Sequence, residues 1–394
     1  MVMLADTDAG SVVTAAQSGA RTRYAMVLPE ILLVPILYVV QEAALRLGIV
    51  TRDGLGDLVR RAFGRPAALA IAGVLLVTAG GALVSEFAGI AGVGSLVGLP
   101  RGVSVGVVGV ALLAVVTLGR YRWVEATGLA IGALEVFFVV AAIRVHQHVG
   151  IPVAPPAGSS VGTSTYLTLL VANVGAVVMP WMVFYQQQAV IDKGYRGLST
   201  ARALRAARLD TAIGAVVTQV IMIGVVVATA ATVGATDPGR PLGSIDAIAG
   251  ALAPALGRGE ANLLFGLGML GASVVAALVV TLAGAWAIAE VLGWRYSLND
   301  APRRAGGFHA VAGAGLVIAA LVVVGVGNLV GLSVTVEILN ALVLPVVLLA
   351  VVRLEGLLPD PWRSTGLRRT ALRSAAVLVT VLALVGAGVL LAGL

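Results

Sequence analysis

Residues 172–181 read ANVGAVVMPW and place Pro180 inside an apolar run that extends over about 165–191. Proline removes one backbone hydrogen-bond donor and clashes with the preceding helical turn, so a helix kinks or unwinds there. In lipid, unpaired backbone groups are tolerated only where they line a cavity or are buried in protein. The stretch therefore predicts either an ordinary kink, with Met179 as a packing residue, or an opened helix that lines a polar interior.

The chain on both sides of this stretch is dominated by apolar residues. Hydrophobic residues make up 59% of its 394 residues, charged residues 11%, and the mean hydropathy is +1.03. A spanning helix needs roughly 20 mainly apolar residues, and such runs lie at about 4–20, 24–49, 66–98, 102–119, 122–143, 165–191, 210–233, 260–292, 309–326, 330–353 and 371–393. We therefore predict an all-α integral membrane protein with about 11 transmembrane helices, in which residues 1–394 form a single transmembrane domain in a lipid bilayer.

Most of the 26 basic residues lie in alternate joints between the apolar runs rather than in one patch. This distribution argues against a nucleic-acid partner. Because basic joints stay in the cytoplasm, it predicts a multi-pass protein of the cell membrane with a cytoplasmic amino terminus and an external carboxyl terminus. The chain has no cysteine for a thiolate metal site and no visible nucleophile with a base, so we do not expect an enzyme. Its oligomeric state is left open.

A second interruption is predicted at the start of the chain, where residues 6–11 read DTDAGS. Two carboxylates beside a glycine break suit a divalent cation, because an interrupted helix also frees backbone carbonyl oxygens. The alternative is a solvated tail in which a carboxylate caps the following helix. Since only residues 1–5 precede Asp6, we expect segment one to be truncated, with its first half missing.

Breaks in segments one and six are the pattern of an inverted five-plus-five repeat with a central substrate site. The spacing predicts repeat one over about 1–143, repeat two over about 165–353, and an extra helix at 371–393. Other polar groups inside the apolar runs are functional candidates by default, although each one alone is more typical of helix packing. They are Glu30, Gln41, Glu42, Glu86, Glu135, Gln219, Glu290, Glu337 and Asn340.

Four motifs resemble the NRAMP family of divalent metal transporters. They are QEAALRLGIVT at 41–51, GAVVMP at 175–180, LNALVLP at 339–345, and DAGS at 8–11 in place of the family's Asp-Pro-Gly-Asn. The resemblance implies a LeuT-like fold with broken helices one and six. By position, it also implies the metal ligands Asp8, Ser11, the Ala176 carbonyl, Met179 and Asn340.

The same resemblance implies a secondary transporter that works by alternating access and carries the divalent metal ion as its substrate, with no cofactor. The thioether of Met179 favours manganese or iron slightly over magnesium. Three alternatives stay open. They are a magnesium transporter without proton coupling, a non-transporting metal sensor or inactive paralogue, and a sodium-coupled symporter of an organic solute.

The chain departs from the family at groups linked to proton movement. Trp181 and Gln186 stand where typical members have histidines, while Glu86 keeps the first of two acidic positions in segment three and Gly89 lacks the second. Proton coupling of the usual kind is therefore not expected. Together with the other polar groups near the two breaks, these positions give the candidate pathway or supporting residues Asp6, Gln41, Glu86, Trp181 and Gln186.

Overall fold

A computed structural model describes residues 2–118, 121–149, 162–195, 197–237, 240, 242–296 and 303–393. Residues 1, 119 and 394, which the predicted segment and domain limits include, lie outside the described residues. The described chain is helical and contains no β-strand. Its α-helices are α1 (Ala9–Thr22), α2 (Val27–Thr51), α3 (Leu55–Phe63), α4 (Arg65–Leu96), α5 (Arg101–Leu118), α6 (Tyr121–Gly132), α7 (Val136–Val149), α8 (Thr163–Val177), α9 (Pro180–Lys193), α10 (Thr200–Ala231), α11 (Val233–Thr236), α12 (Ile245–Leu256), α13 (Arg258–Leu292), α14 (Gly306–Gly325), α15 (Leu329–Glu355) and α16 (Gly366–Gly393).

Among the described residues, 10 helical stretches are long and apolar enough to cross a membrane. The prediction of an all-α membrane protein is therefore confirmed. The difference from about 11 predicted segments arises because α1 and α2 form one stretch, Ala9–Thr51, joined by the 3-10 turn Arg23–Met26. The limits of the two repeats and of the extra helix stay predictions.

Both predicted helix breaks are present. A 3-10 turn, Leu4–Asp6, precedes α1, which begins only at Ala9 and has just 14 residues. Helix α8 ends at Val177, and the extended residue Met179 (φ −90°, ψ 138°) separates it from α9. The second break is therefore an opened helix and not an ordinary kink.

The helix α15 lies against both broken helices because glycines face it. A Cβ atom on Gly175 of α8 would lie 1.8 Å from the Glu337 carbonyl oxygen, and one on Gly10 of α1 would lie 2.1 Å from Glu337 Oε1. A larger side chain at Gly175 would meet the α15 backbone and push the helices apart, whereas one at Gly10 would displace the Glu337 side chain. Small residues of this kind let helix backbones approach closely inside membranes, and here they bring α1, α8 and α15 to one buried region.

Candidate metal-binding site

The side chain of Asp8 caps the amino terminus of α1. Its Oδ1 accepts a hydrogen bond of 2.6 Å from the backbone N–H of Ser11, whereas its Oδ2 is buried and has no partner among the described residues. Aspartate is a favoured cap because it satisfies an N–H group that has no partner within the helix, and the positive end of the helix dipole also attracts the carboxylate. The helix therefore fixes the carboxylate in place and leaves one oxygen available.

A hydrogen bond joins the two breaks directly. The Ser11 hydroxyl donates to the Ala176 carbonyl oxygen at 2.8 Å, and both residues are buried. In a continuous helix this carbonyl would accept from the residue four positions later, which is Pro180 and has no N–H. The proline thus frees the Ala176 carbonyl, and Ser11 brings it to the Asp8 end of α1.

Met179 lies at the second break, three residues after Ala176. It has an extended backbone, as residues before proline prefer, and its side chain is fully buried. Met179 therefore lies at the same helix break as the Ala176 carbonyl that Ser11 contacts.

Asn340 lies on α15 beside a residue that was not predicted as a ligand. Its Nδ2 donates to Glu337 Oε2 at 3.0 Å, and its Oδ1 has no partner in the described part of the chain. The other Glu337 oxygen is also without a partner and lies against Gly10. Glu337 is therefore the α15 group that contacts the first break. Its only sequence signal was an acidic residue in an apolar run, which suggested packing.

Glu86 on α4 also contacts the start of α1. Its Oε2 accepts from the Ala9 backbone N–H at 3.1 Å, and its carboxyl group lies within interaction distance of the Asp8 carboxyl group. The neighbouring position Gly89 has no room for a second acidic side chain, because a Cβ atom there would lie 2.2 Å from Ser273 Oγ and 2.7 Å from the Ala9 Cβ.

The other candidate pathway residues have no direct hydrogen bond to Asp8 in the described part of the chain. Gln186 Nε2 donates to Thr211 Oγ1 at 3.0 Å, and Asp6 Oδ2 accepts from Thr218 Oγ1 at 3.2 Å. The Trp181 indole N–H and both side-chain polar atoms of Gln41 are buried without a hydrogen-bond partner among the described residues. The structure therefore places polar groups near both breaks but does not assign these residues a role.

Three buried carboxyl groups meet around the start of α1: Asp8, Glu86 and Glu337. Within the described ranges none of them forms a salt bridge. Uncompensated charge is costly away from water, so a cation fits this region. The described residues contain no group of three His, Asp or Glu side chains arranged to hold a metal ion, so an ion here also needs the carbonyl, hydroxyl and thioether groups.

Two cavities approach the site from opposite ends of the bundle. One, of about 400 Å³, is lined by Gln17, Arg21 and Asn328 among others. The other, of about 200 Å³, has a lining that includes Met3 and Leu4. It lies at the end of the bundle that carries Lys193 and the basic joints, which we call the basic end. Neither lining includes Asp8, which is fully buried.

Two hydrogen bonds hold α1 to its neighbours between Asp8 and the larger cavity, whose lining includes Gln17. Gln17 Nε2 donates to the Leu242 carbonyl oxygen at 2.7 Å, and Asn173 Nδ2 donates to Ser18 Oγ at 2.7 Å. The first bond ties α1 to the segment before α12, and the second ties α1 to α8. Asp8 itself is buried and lies outside both cavities.

The fold is similar to solved transporter structures. A manganese transporter from Eremococcus coleocola has a TM-score of 0.77 at 19% identity, with 98% of this chain and 84% of that chain covered. A nucleobase-cation-symport-1 family transporter with bromovinylhydantoin bound has a TM-score of 0.58 at 16% identity, with 97% and 91% covered. At these identities the likeness establishes the fold only, and it confirms the predicted LeuT-like class.

Several relatives carry the name divalent metal cation transporter MntH. The Verminephrobacter eiseniae protein is 29% identical over 301 residues, which cover 72% of this chain and 65% of the relative. The Xylella fastidiosa (strain 9a5c) protein is 29% identical over 295 residues, covering 72% and 62%, so these two matches span less than two thirds of each relative. The Acidiphilium cryptum protein is 27% identical over 408 residues, covering 99% and 86%. All three are named as transporters and not as enzymes.

The profile of one family, Nramp (natural resistance-associated macrophage protein-like), matches residues 1–389. This match covers both helix breaks and nearly the whole chain. The predicted resemblance is confirmed, and the chain belongs to the Nramp family.

Proposed function

We propose that this protein is a secondary transporter of divalent metal cations that binds its ion between the two helix breaks. The observation that carries the proposal is the 2.8 Å bond from Ser11 to the Ala176 carbonyl, which brings a freed carbonyl to a carboxylate with an unpartnered oxygen. The family membership and the names of the relatives support the same function.

In this proposal Asp8 Oδ2 supplies the negative ligand, while the Ala176 carbonyl and the Met179 thioether come from the second break. Ser11 and the Asn340 amide oxygen complete the site, the latter in one conformation. The carboxyl groups of Glu86 and Glu337 offset the remaining positive charge of the ion from either side of α1. All of the groups in this proposal belong to residues at the two breaks or on the helices packed against them.

Alternating access follows from the two closed ends. When the Gln17–Leu242 and Asn173–Ser18 bonds open, the larger cavity reaches the ion, and when the basic end opens, the smaller cavity reaches it. Basic joints favour the cytoplasmic side, so the smaller cavity faces the cytoplasm. The amino terminus is then cytoplasmic and the carboxyl terminus external.

Manganese or iron is slightly favoured over magnesium because a thioether prefers the softer ions. Magnesium is the second candidate, since three carboxyl groups near one site provide the hard oxygen environment that magnesium prefers. Trp181 and Gln186 cannot take up a proton at physiological pH, so the transport we propose does not use the family's usual histidines.

The test is ion flux in liposomes that contain the purified protein, measured for manganese and magnesium with and without a pH gradient. We expect manganese flux above that of empty liposomes, magnesium flux at a lower rate, and little effect of the gradient. Flux of neither ion would refute the proposed function. Flux that depends steeply on the gradient would refute the lack of ordinary proton coupling.

A further inference from the structure

A second group of buried polar side chains lies between Asp8 and the basic-end cavity. It begins at Asp6, which is 1% exposed and accepts a hydrogen bond from Thr218 on one oxygen only. The amide of Gln219, the next residue on α10, is directed at Asp6, yet both of its polar atoms are buried without a hydrogen-bond partner in the described chain. Asp6 and Gln219 therefore form one side of this group, and several of their polar atoms lack a hydrogen-bond partner.

Glu135 forms the other side of this group. It ends the 3-10 turn Ala133–Glu135, which interrupts the membrane-spanning stretch between α6 and α7. A Cβ atom on Gly271 of α13 would lie 2.8 Å from the Leu134 Cβ, and one on Gly132 would lie 2.9 Å from Leu4 Cδ1. The turn is thus pressed between α13 and the amino-terminal 3-10 turn, and this packing holds Glu135 beside Thr7.

The Glu135 side chain is 1% exposed, and neither of its oxygens has a hydrogen-bond partner among the residues described. The neighbouring Thr7 hydroxyl is also buried, and it faces the Glu135 carboxyl group. Buried polar groups are nearly always paired, and a buried carboxylate without a partner is expensive. Four side chains from three elements, namely the amino-terminal 3-10 turn, α10 and the turn Ala133–Glu135, therefore bring incompletely paired polar atoms together, which points to a bound ligand.

The chemistry of these groups identifies the class of ligand. Carboxylate, hydroxyl and amide oxygens suit a hard divalent cation, and such ions keep part of their water shell when few protein ligands reach them directly. No three acidic side chains here are arranged to hold a bare ion. The group therefore fits a partly hydrated cation, with its waters bonded to the unpaired oxygens.

We infer that Asp6 and Glu135 form a second station for the transported cation, between Asp8 and the basic-end cavity. Met3 and Leu4, which line that cavity, directly precede this station along the chain. An ion that leaves Asp8 toward the basic end meets the Asp6 and Glu135 carboxylates before it reaches water. This inference rests on the proposed function and adds a site that the metal ligands at the two breaks do not include.

The experiment measures equilibrium binding of manganese to purified protein together with manganese flux in liposomes. The variants are Asp8→Ala, Glu135→Gln and the double variant, with Glu260→Gln as the control because Glu260 is partly exposed and pairs with Arg144. We expect Asp8→Ala to remove the tighter class of manganese-binding sites and to leave a weaker class. The double variant should lose both classes. Neutralising one of two carboxylates beside the ion should reduce flux by about tenfold in Glu135→Gln, while Glu260→Gln stays at the wild-type rate.

Thr7→Val provides a second test that nearly preserves side-chain volume. It removes the hydroxyl beside Glu135 and should weaken the second class of binding without changing the first. If Asp8→Ala leaves no bound manganese and Glu135→Gln transports at the wild-type rate, the second station is wrong while the proposed function stands. If the wild-type protein neither binds nor transports manganese, both are wrong.

Discussion

The break before α1 carries two carboxylates, Asp6 and Asp8, whereas the break between α8 and α9 carries no ionisable residue. At the first break a helix amino terminus holds the carboxylate through the Ser11 N–H. At the second a proline frees a carbonyl and places a thioether next to it. In the proposed site, one break thus supplies charge and the other supplies neutral donors, so we expect the first to set the strength of ion binding and the second to set the choice of ion.

The largest effect is expected from Asp8→Asn, which removes the charge at the first break and nearly preserves its shape. Asparagine is also a good helix cap, so the protein should stay folded while manganese flux falls by more than about a hundredfold, since a divalent ion loses its negative ligand. Flux in liposomes and thermal unfolding are the measurements. The exposed carboxylate Asp246, in the first turn of α12, gives the control Asp246→Asn, which should transport normally. Retained flux in Asp8→Asn would remove the first break from the site.

Gly175→Ala tests whether the second break must lie against α15. The added Cβ would meet the Glu337 carbonyl oxygen at 1.8 Å, so the helices must separate, at a cost of about 1–3 kcal/mol for an overpacked contact. Thermal unfolding and flux should both decline. The matched control is Gly73→Ala on α4, where no atom lies within 4 Å of the new Cβ. Equal stability of the two variants would contradict the close approach of α8 and α15.

Met179→Leu tests the choice of ion, because it removes the sulfur at the second break and nearly conserves volume. The preference for manganese over magnesium should fall by about tenfold while total flux persists, since thioether ligands favour softer ions. Competition between the two ions for uptake is the measurement. Met182→Leu, three residues later and equally buried, should leave the preference unchanged. If both variants behave alike, Met179 only packs.

The smallest effect is expected from Ser11→Ala, which cuts the hydrogen bond between the breaks. A typical buried hydrogen bond contributes about 1 kcal/mol, so the apparent manganese affinity should fall by a few-fold. Thr370→Ala, which removes an exposed hydroxyl bonded within α16, is the control. The concentration dependence of flux measures both, and an unchanged affinity in Ser11→Ala would show that the two breaks bind the ion independently.

The sequence predicted the features that depend on local chemistry. Pro180 interrupts its helix because of its own ring, so a kink or a break could be predicted there, and a helix cap by a carboxylate was one of the two interpretations of residues 6–11. The role of Glu337 could not, since it depends on how α15 lies against Gly10 and Gly175. The 3-10 turn before Val136 was also missed, because its sequence carries no proline and its shape follows from packing on Gly271 of α13.

The tight contact at Gly89 limits which substitutions this position can accept. Because Ala9 and Ser273 occupy the space that a side chain there would need, restoring the family's second acidic residue requires compensating replacements on two other helices. A single substitution at Gly89 therefore cannot restore the second acidic residue that typical members of the family have.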